Sequence, residues 1–170
     1  MLLLFVLPLM AGFGQAALRY DAPPGWVTNP PASSMRVAEF TLPRADKDIE
    51  DADLAIFFFG GQGGSIQANI DRWIGQMAQP DGRASREVAT TTTLQTRTGL
   101  KVSLVDVSGT YVADVKPGSS ERFNKPGFRL RAAVVETPRG PYFVKLTGPA
   151  ATVARWHRSF LDFLAGLSFK

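Results

Sequence analysis

The chain has 170 residues, enough for one domain with a sizeable core, and its composition of 45% apolar and 20% charged residues is ordinary. It has no cysteine, which excludes disulfide frameworks, thiolate metal sites, cysteine nucleophiles and a lipoprotein anchor. The formal net charge is +4. Basic residues occur singly or in spaced pairs and no nucleic-acid motif is present, so binding to nucleic acid is not expected.

Residues 1–17 are predicted to be a signal peptide that is not part of the fold. Residues 2–13 are apolar but too few to span a bilayer. Gly14-Gln15-Ala16 then supplies the small residues that signal peptidase prefers. We therefore expect an exported protein, periplasmic or secreted, whose single domain covers residues 18–170 without stable membrane insertion. An uncleaved anchor is the alternative.

Alternating or β-branched segments predict strands along most of the chain. The predicted strands cover residues 18–22, 26–29, 35–42, 54–59, 88–98, 101–111, 129–137 and 142–147. Residues 54–59 are apolar without alternation, which is typical of a central strand covered on both faces. A long polar loop at residues 114–127 is expected to be either functional or mobile.

Two amphipathic helices are predicted, and they complete the fold class. The first begins after Ser65, a good N-cap, and ends at Pro80-Asp81-Gly82. The second has Pro149 in its first turn and is followed by the end of the chain. Hairpins rather than crossovers join most strands. We therefore predict an α+β fold, with a mainly antiparallel sheet of six or more strands flanked by a helix on each face.

A glycine-rich turn between the central strand and the first helix is the first candidate site. The residues concerned are Gly60, Gly61, Gly63, Gly64 and the capping Ser65. Backbone N–H groups at such a helix start can bind an anion. The turn lacks the lysine of a Walker motif and the third glycine of a dinucleotide fingerprint. The alternative is a tight turn that packs the helix on the sheet.

The polar stripe of the same helix is the second candidate site. Asn69, Arg72 and Gln76 lie next to Trp73 at helical spacing. Amides and a guanidinium can bind a carboxylate, a peptide or a sugar, with tryptophan as a stacking surface. The alternative is a solvated helix face on which Arg72 pairs with a nearby acid.

No catalytic or metal-binding signature is present, so we predict neither a cofactor nor a metal. His157, the only histidine, is expected to be partly buried and hydrogen-bonded. One histidine without cysteine does not predict a zinc site, and the Gly-x-Ser-x-Gly elbow of hydrolases is missing. The acids of residues 46–53 lack the glycine and terminal glutamate of an EF-hand loop. An enzyme built around His157 is the minority alternative.

The order of elements in an exported domain of this length resembles the PsbP-like superfamily, which includes extrinsic photosystem proteins and the bacterial envelope protein DcrB. Four strings, at residues 34–36, 60–65, 69–73 and 145–149, also look like those of a group of exported bacterial proteins. The resemblance implies a binding or assembly module without shared catalytic residues.

Two functions are therefore expected. The first is a non-catalytic envelope module whose partner, another envelope protein, docks on residues 60–76 or 114–127. The alternative is a periplasmic protein that binds a small anionic ligand with the glycine turn and the polar stripe. The sequence leaves the oligomeric state open.

Overall fold

A computed structural model describes residues 16–170, so the predicted signal peptide lies outside the described residues except for its last two positions. Within that range the strands are β1 (Leu18–Arg19), β2 (Val27–Asn29), β3 (Arg36–Leu42), β4 (Ala52–Phe58), β5 (Met77–Ala78), β6 (Thr90–Gln95), β7 (Lys101–Tyr111), β8 (Lys125–Val135), β9 (Tyr142–Pro149) and β10 (Ser168–Phe169). The helices are α1 (Ile66–Ile74), α2 (Ser85–Val88), α3 (Ala150–Arg155) and α4 (His157–Gly166).

Eight of the strands form one antiparallel sheet. Its order is β2-β3-β4-β9-β8-β7-β5, and β6 pairs with the same edge of β7 as β5 does. Strands β1 and β10 make a separate antiparallel pair. The prediction of an α+β fold with a mainly antiparallel sheet is thus confirmed, and β4 has the central position expected of it, between β3 and β9.

Two separate apolar clusters pack against the sheet. Along β9 the side chains alternate between them: Phe143 belongs to the cluster of α1, and Val144 belongs to the cluster of α4. The α1 cluster also contains Ile70, Trp73, Ile74, Val105, Val107, Leu130, Ala132 and Val134. The α4 cluster also contains Phe40, Leu54, Ile56, Val153, Phe160, Phe163, Leu164 and Leu167. Successive side chains of a strand point to opposite faces of the sheet, so neighbouring residues of β8 and of β9 belong to different clusters.

Strand β4 departs from the expectation that both of its faces are covered. Ala52, Leu54 and Ile56 are buried, whereas Asp53 is exposed and Ala55 is only half-buried. Buried and less buried positions therefore alternate along β4, but the sequence does not show this alternation. Ala55 is apolar although it is only half-buried. One face of β4 is partly open.

Helix α1 is shorter than predicted. The Ser65 hydroxyl accepts the Ala68 N–H at 3.1 Å, as expected of an N-cap. The helix ends at Ile74 because Gly75 has a low helix propensity and the chain then turns into β5, where Met77 pairs with Tyr111. Met77 is buried. The predicted helix therefore included a methionine that belongs to a strand.

The predicted loop at residues 114–127 contains backbone pairing of its own. Asp114 and Arg122 form an isolated antiparallel bridge, and the Phe123 N–H donates to the Ala113 carbonyl at 2.9 Å. Strand β8 already begins at Lys125. We call residues 114–124 the hairpin segment.

The predicted last helix is divided in two. Strand β9 extends through Pro149, and Trp156, with φ −94° and ψ 11°, separates α3 from α4. No helix within residues 16–170 has both the length and the apolar character needed to cross a lipid bilayer.

The contact between β4 and β9 at Gly148 provides a test of the fold. A Cβ added to Gly148 would lie 2.7 Å from Ala52 Cα and would also overlap its Cβ. Overpacking a buried site costs about 1–3 kcal/mol, so Gly148→Ala should lower the free energy of unfolding by that amount in urea denaturation. Gly166→Ala is the control, because the nearest atom to its added Cβ would be Arg97 Nη1 at 3.5 Å, an ordinary contact, and alanine favours a helix. An unchanged stability of Gly148→Ala would contradict this packing.

Candidate functional site

A cavity of about 980 Å³ opens on the α1 side of the sheet. Helix α1 has nine residues and packs on β7 and β8. Trp73 of the helix also packs on Phe143 of β9, with ring centroids 6.2 Å apart. Beside the helix, residues of β3, β4 and β9 line the open space, and the hairpin segment bounds it. A cavity of this size is typical of small-molecule sites.

Aromatic side chains supply most of the apolar lining. Tyr111 and Phe123 stack with ring centroids 5.6 Å apart, and Phe57 and Phe59 stack at 6.1 Å. The other aromatic side chains of the lining are Trp73, Phe128 and Phe143. Such rings favour an apolar or aromatic group of a ligand by area burial and by stacking.

Lys145 is the central cation of the cavity. It lies in the middle of β9, opposite Ala55 of β4, whose small side chain leaves the space in front of it open. Its ammonium group donates to Gln76 Oε1 at 2.6 Å and to the Tyr111 hydroxyl at 3.0 Å. Within residues 16–170 it forms no ion pair with a carboxylate. The ammonium thus faces the cavity with neutral partners alone.

Two arginines make the surroundings of Lys145 positive. Arg72 Nη2 donates to Asn69 Oδ1 at 2.6 Å, and Arg72 has no carboxylate partner in the described part of the chain. Arg36 pairs with Glu39 at 3.0 Å. Burial, and then the charges of Arg72 and Arg36, lower the pKa of Lys145 from 10.5 to about 8. The alternative in which Arg72 pairs with a nearby acid is therefore not found within residues 16–170, and Arg72 is exposed and lines the cavity.

Acidic residues line another part of the same cavity. Asp53 lies two residues before Ala55 on β4, about 7 Å along the strand. Its side chain makes no hydrogen bond or ion pair within residues 16–170. The residue is exposed overall, but partial desolvation of its carboxyl group raises the pKa of Asp53. Nearby Lys125 opposes this effect, and Glu50, Asp51 and Glu39 add to it. Lys125 itself pairs with Glu50 at 2.6 Å.

Three residues of the predicted sites come together in this cavity. Arg72, Trp73 and Gln76 all line it, together with the hairpin segment. Asn69 does not line it: this side chain is 2% exposed, and its amide donates to the Gly63 carbonyl at 2.7 Å. Asn69 therefore holds the glycine turn in place and positions Arg72.

The glycine turn lies outside the cavity. None of Gly60, Gly61, Gly63, Gly64 and Ser65 lines it. Gly61 has a φ of +85°, and a Cβ on Gly140 would lie 2.7 Å from Gly61 Cα. Glycine is required where backbones approach this closely and where φ is positive. These contacts favour the alternative of a tight packing turn.

His157 also lies apart from the cavity. Its Nδ1 is 3.2 Å from Arg131 Nη1, and because a guanidinium remains protonated, Nδ1 is the acceptor. The expected hydrogen bond is present, but the expected partial burial is wrong, since His157 is exposed. Within residues 16–170 no group of three or more metal-ligating side chains could hold an ion. Asp48, for example, accepts the Thr152 N–H at 2.8 Å instead.

Sequence reasoning missed several residues of the cavity, Lys145 above all. The available signal was a single lysine flanked by Val144 and Leu146 in an apolar strand. A charged residue in such a strand faces either solvent or a cavity, and only the sheet order shows which. Asp53 and Tyr111 gave no comparable signal.

Comparisons with known proteins identify no family for this chain. No protein-family model matches it, and no curated protein matches it. Among solved structures, a Pseudomonas aeruginosa protein of unknown function has a TM-score of 0.47 at 13% sequence identity, over 75% of this chain and 78% of that chain. A likeness at that level supports no conclusion about function.

Asn69 provides a test of how the site is positioned. Its amide donates to two backbone carbonyls, and its oxygen accepts from Arg72. Unsatisfied buried partners cost about 1–3 kcal/mol, so Asn69→Ala should lower the free energy of unfolding by that amount in urea denaturation. Gln67→Ala on the exposed face of the same helix is the control and should change it by less than about 0.5 kcal/mol. Equal effects of the two variants would contradict the buried role of Asn69.

The pKa of Lys145 gives a pH-dependent prediction for stability. Because the pKa falls from 10.5 to about 8 on folding, the unfolded chain binds more protons between these values. The wild type should therefore gain about 2 kcal/mol of unfolding free energy from this group between about pH 7 and pH 9.5.

Lys145→Met removes that contribution. In urea denaturation, its stability relative to the wild type should be highest near pH 7 and should decline by about 2 kcal/mol toward pH 9.5. Lys101→Met is the control, because Lys101 is exposed and paired with Glu136. A pH-independent difference between Lys145→Met and the wild type would show that the ammonium is not desolvated.

Proposed function

We propose that this protein is a non-catalytic binding protein that takes a small anionic ligand with an apolar or aromatic body into the cavity. The observation that carries the proposal is Lys145, an ammonium that faces the cavity without a carboxylate partner in the described part of the chain. A desolvated charge without a counter-ion is costly, and an anionic group beside it would relieve that cost. Arg72 lies close enough to contribute a second charge.

The donors suit a carboxylate or a phosphate. Hydrogen bonds from a charged donor to a charged acceptor are about twice as strong as neutral ones. Arg72 can offer two parallel N–H groups, whereas Lys145 acts as a point charge. The stacked rings of the lining would receive the apolar part of the ligand. This is the anion-binding alternative expected from the sequence, with the cavity in place of the glycine turn.

The wider setting is part of the same proposal. Export to the periplasm or beyond, and the PsbP-like arrangement with one helix layer on each face of the sheet, are compatible with a carrier of small molecules. Separate clusters around α1 and α4 support that arrangement. Docking of an envelope protein on residues 60–76 or 114–127 stays a prediction.

Calorimetric titration with 3-phenylpropionate and phenyl phosphate tests the proposal. One charge-assisted hydrogen bond contributes about 1.5–3 kcal/mol, so Lys145→Met and Arg72→Gln should each weaken binding by about tenfold or more. Lys101→Met removes a charge far from the cavity and should bind like the wild type. Lys145→Met is expected to fold well, which separates lost binding from lost structure.

A second variant tests the cavity by volume instead of charge. Ala55→Leu would place a larger side chain in front of Lys145 and leave every charge in position. It should abolish binding of both probes and keep a cooperative unfolding transition. No binding of either probe to the wild type, or equal binding by all variants, would refute the proposed site.

A further inference from the structure

Basic and acidic side chains predominate in different parts of the cavity. Arg72 and Arg36 are the charged groups that act on Lys145. Three acids, Glu50, Asp51 and Glu39, act on Asp53, and the one cation there, Lys125, is itself paired with Glu50 at 2.6 Å. The surroundings of Lys145 are therefore positive, and those of Asp53 are predominantly negative.

The register of the sheet fixes the distance between the two regions. Asp53 pairs with Thr147, and Ala55 pairs with Lys145, so Asp53 and Lys145 are diagonal neighbours on adjacent strands. Diagonal neighbours stand about 7–8 Å apart at their Cα atoms. Both side chains face the cavity, yet no ion pair joins them within residues 16–170. Two opposite charges thus remain available to a third partner.

A purely anionic ligand would satisfy only half of this arrangement. It would neutralise Lys145 and Arg72 but leave Asp53 beside three further acids, with the nearby Lys125 already paired to Glu50. An ammonium group on the same ligand would pair with Asp53. Because each charged group of the ligand could then make a charge-assisted hydrogen bond, a ligand with both groups should bind better than one with a single charge.

We infer that the ligand is a zwitterion of dipeptide size, with its carboxylate at Lys145 and Arg72, its ammonium group at Asp53 and an aromatic or apolar side chain between the stacked rings. An extended dipeptide spans about 7 Å, which is of the same order as the Cα separation of two diagonal neighbours. The inference rests on the proposed function, since it names the ligand class of that same cavity.

Four matched peptides test the inference by calorimetry: Ala-Phe, N-acetyl-Ala-Phe, Ala-Phe amide and N-acetyl-Ala-Phe amide. Ala-Phe should bind the wild type at least tenfold more tightly than either singly charged form. The doubly blocked peptide should bind most weakly. In Asp53→Asn the preference for Ala-Phe over N-acetyl-Ala-Phe should disappear. Asp162→Asn, which changes an exposed acid of α4, should keep the preference.

The outcomes separate this inference from the proposed function. Equal affinity for Ala-Phe and N-acetyl-Ala-Phe, with Lys145→Met still weakening both, would overturn the zwitterion and leave the anion site standing. Absence of binding by all four peptides would also overturn the zwitterion, and the result with 3-phenylpropionate would then decide the anion site. Asp53 has no hydrogen-bond partner to lose, so Asp53→Asn should fold like the wild type.

Discussion

The incomplete cover of one sheet face is the constraint on which the candidate site depends. Helix α1 packs on β7 and β8, whereas residues of β3 and β4 line an open cavity beside it. A sheet face left uncovered must be polar, filled by loops or open to a ligand. Here all three solutions occur together: charged side chains enter the face, the hairpin segment borders it, and a cavity remains between them.

Lys145 shows that a charged side chain on this sheet face lowers the stability of the fold. A partly buried ammonium group whose nearest charges are positive is destabilising at neutral pH, and Gln76 and Tyr111 offset only part of this cost because neither is charged. Strongly perturbed charges in clefts are frequent at functional sites, since stability alone gives no reason to retain them. The arrangement of Asn69 points the same way. This buried amide positions Arg72 toward the cavity, although an apolar residue would pack the helix more simply.

The sequence predicted those features that depend on local pattern. The alternation of residues 35–42 predicted β3, and its buried and open positions do alternate, because a half-covered strand shows its two faces directly. The end of α1 was misplaced because the pairing of Met77 with β7 is a long-range event that the local pattern does not show. The cavity could not be predicted, because Asp53 and Lys145 become neighbours only through the pairing of β4 with β9. The polar stripe was located correctly in Arg72, Trp73 and Gln76, but the space it faces depends on the hairpin segment.

The distribution of the three tryptophans has an optical consequence. Trp26 packs with Phe40 and Phe163, and Trp156 donates its indole N–H to the Pro43 carbonyl, both with the α4 cluster. Trp73 alone among them lines the cavity. A change in the polarity or charge inside the cavity will therefore alter the emission of one indole and leave the other two as an internal reference. The protein carries its own fluorescent reporter of occupancy, without a label.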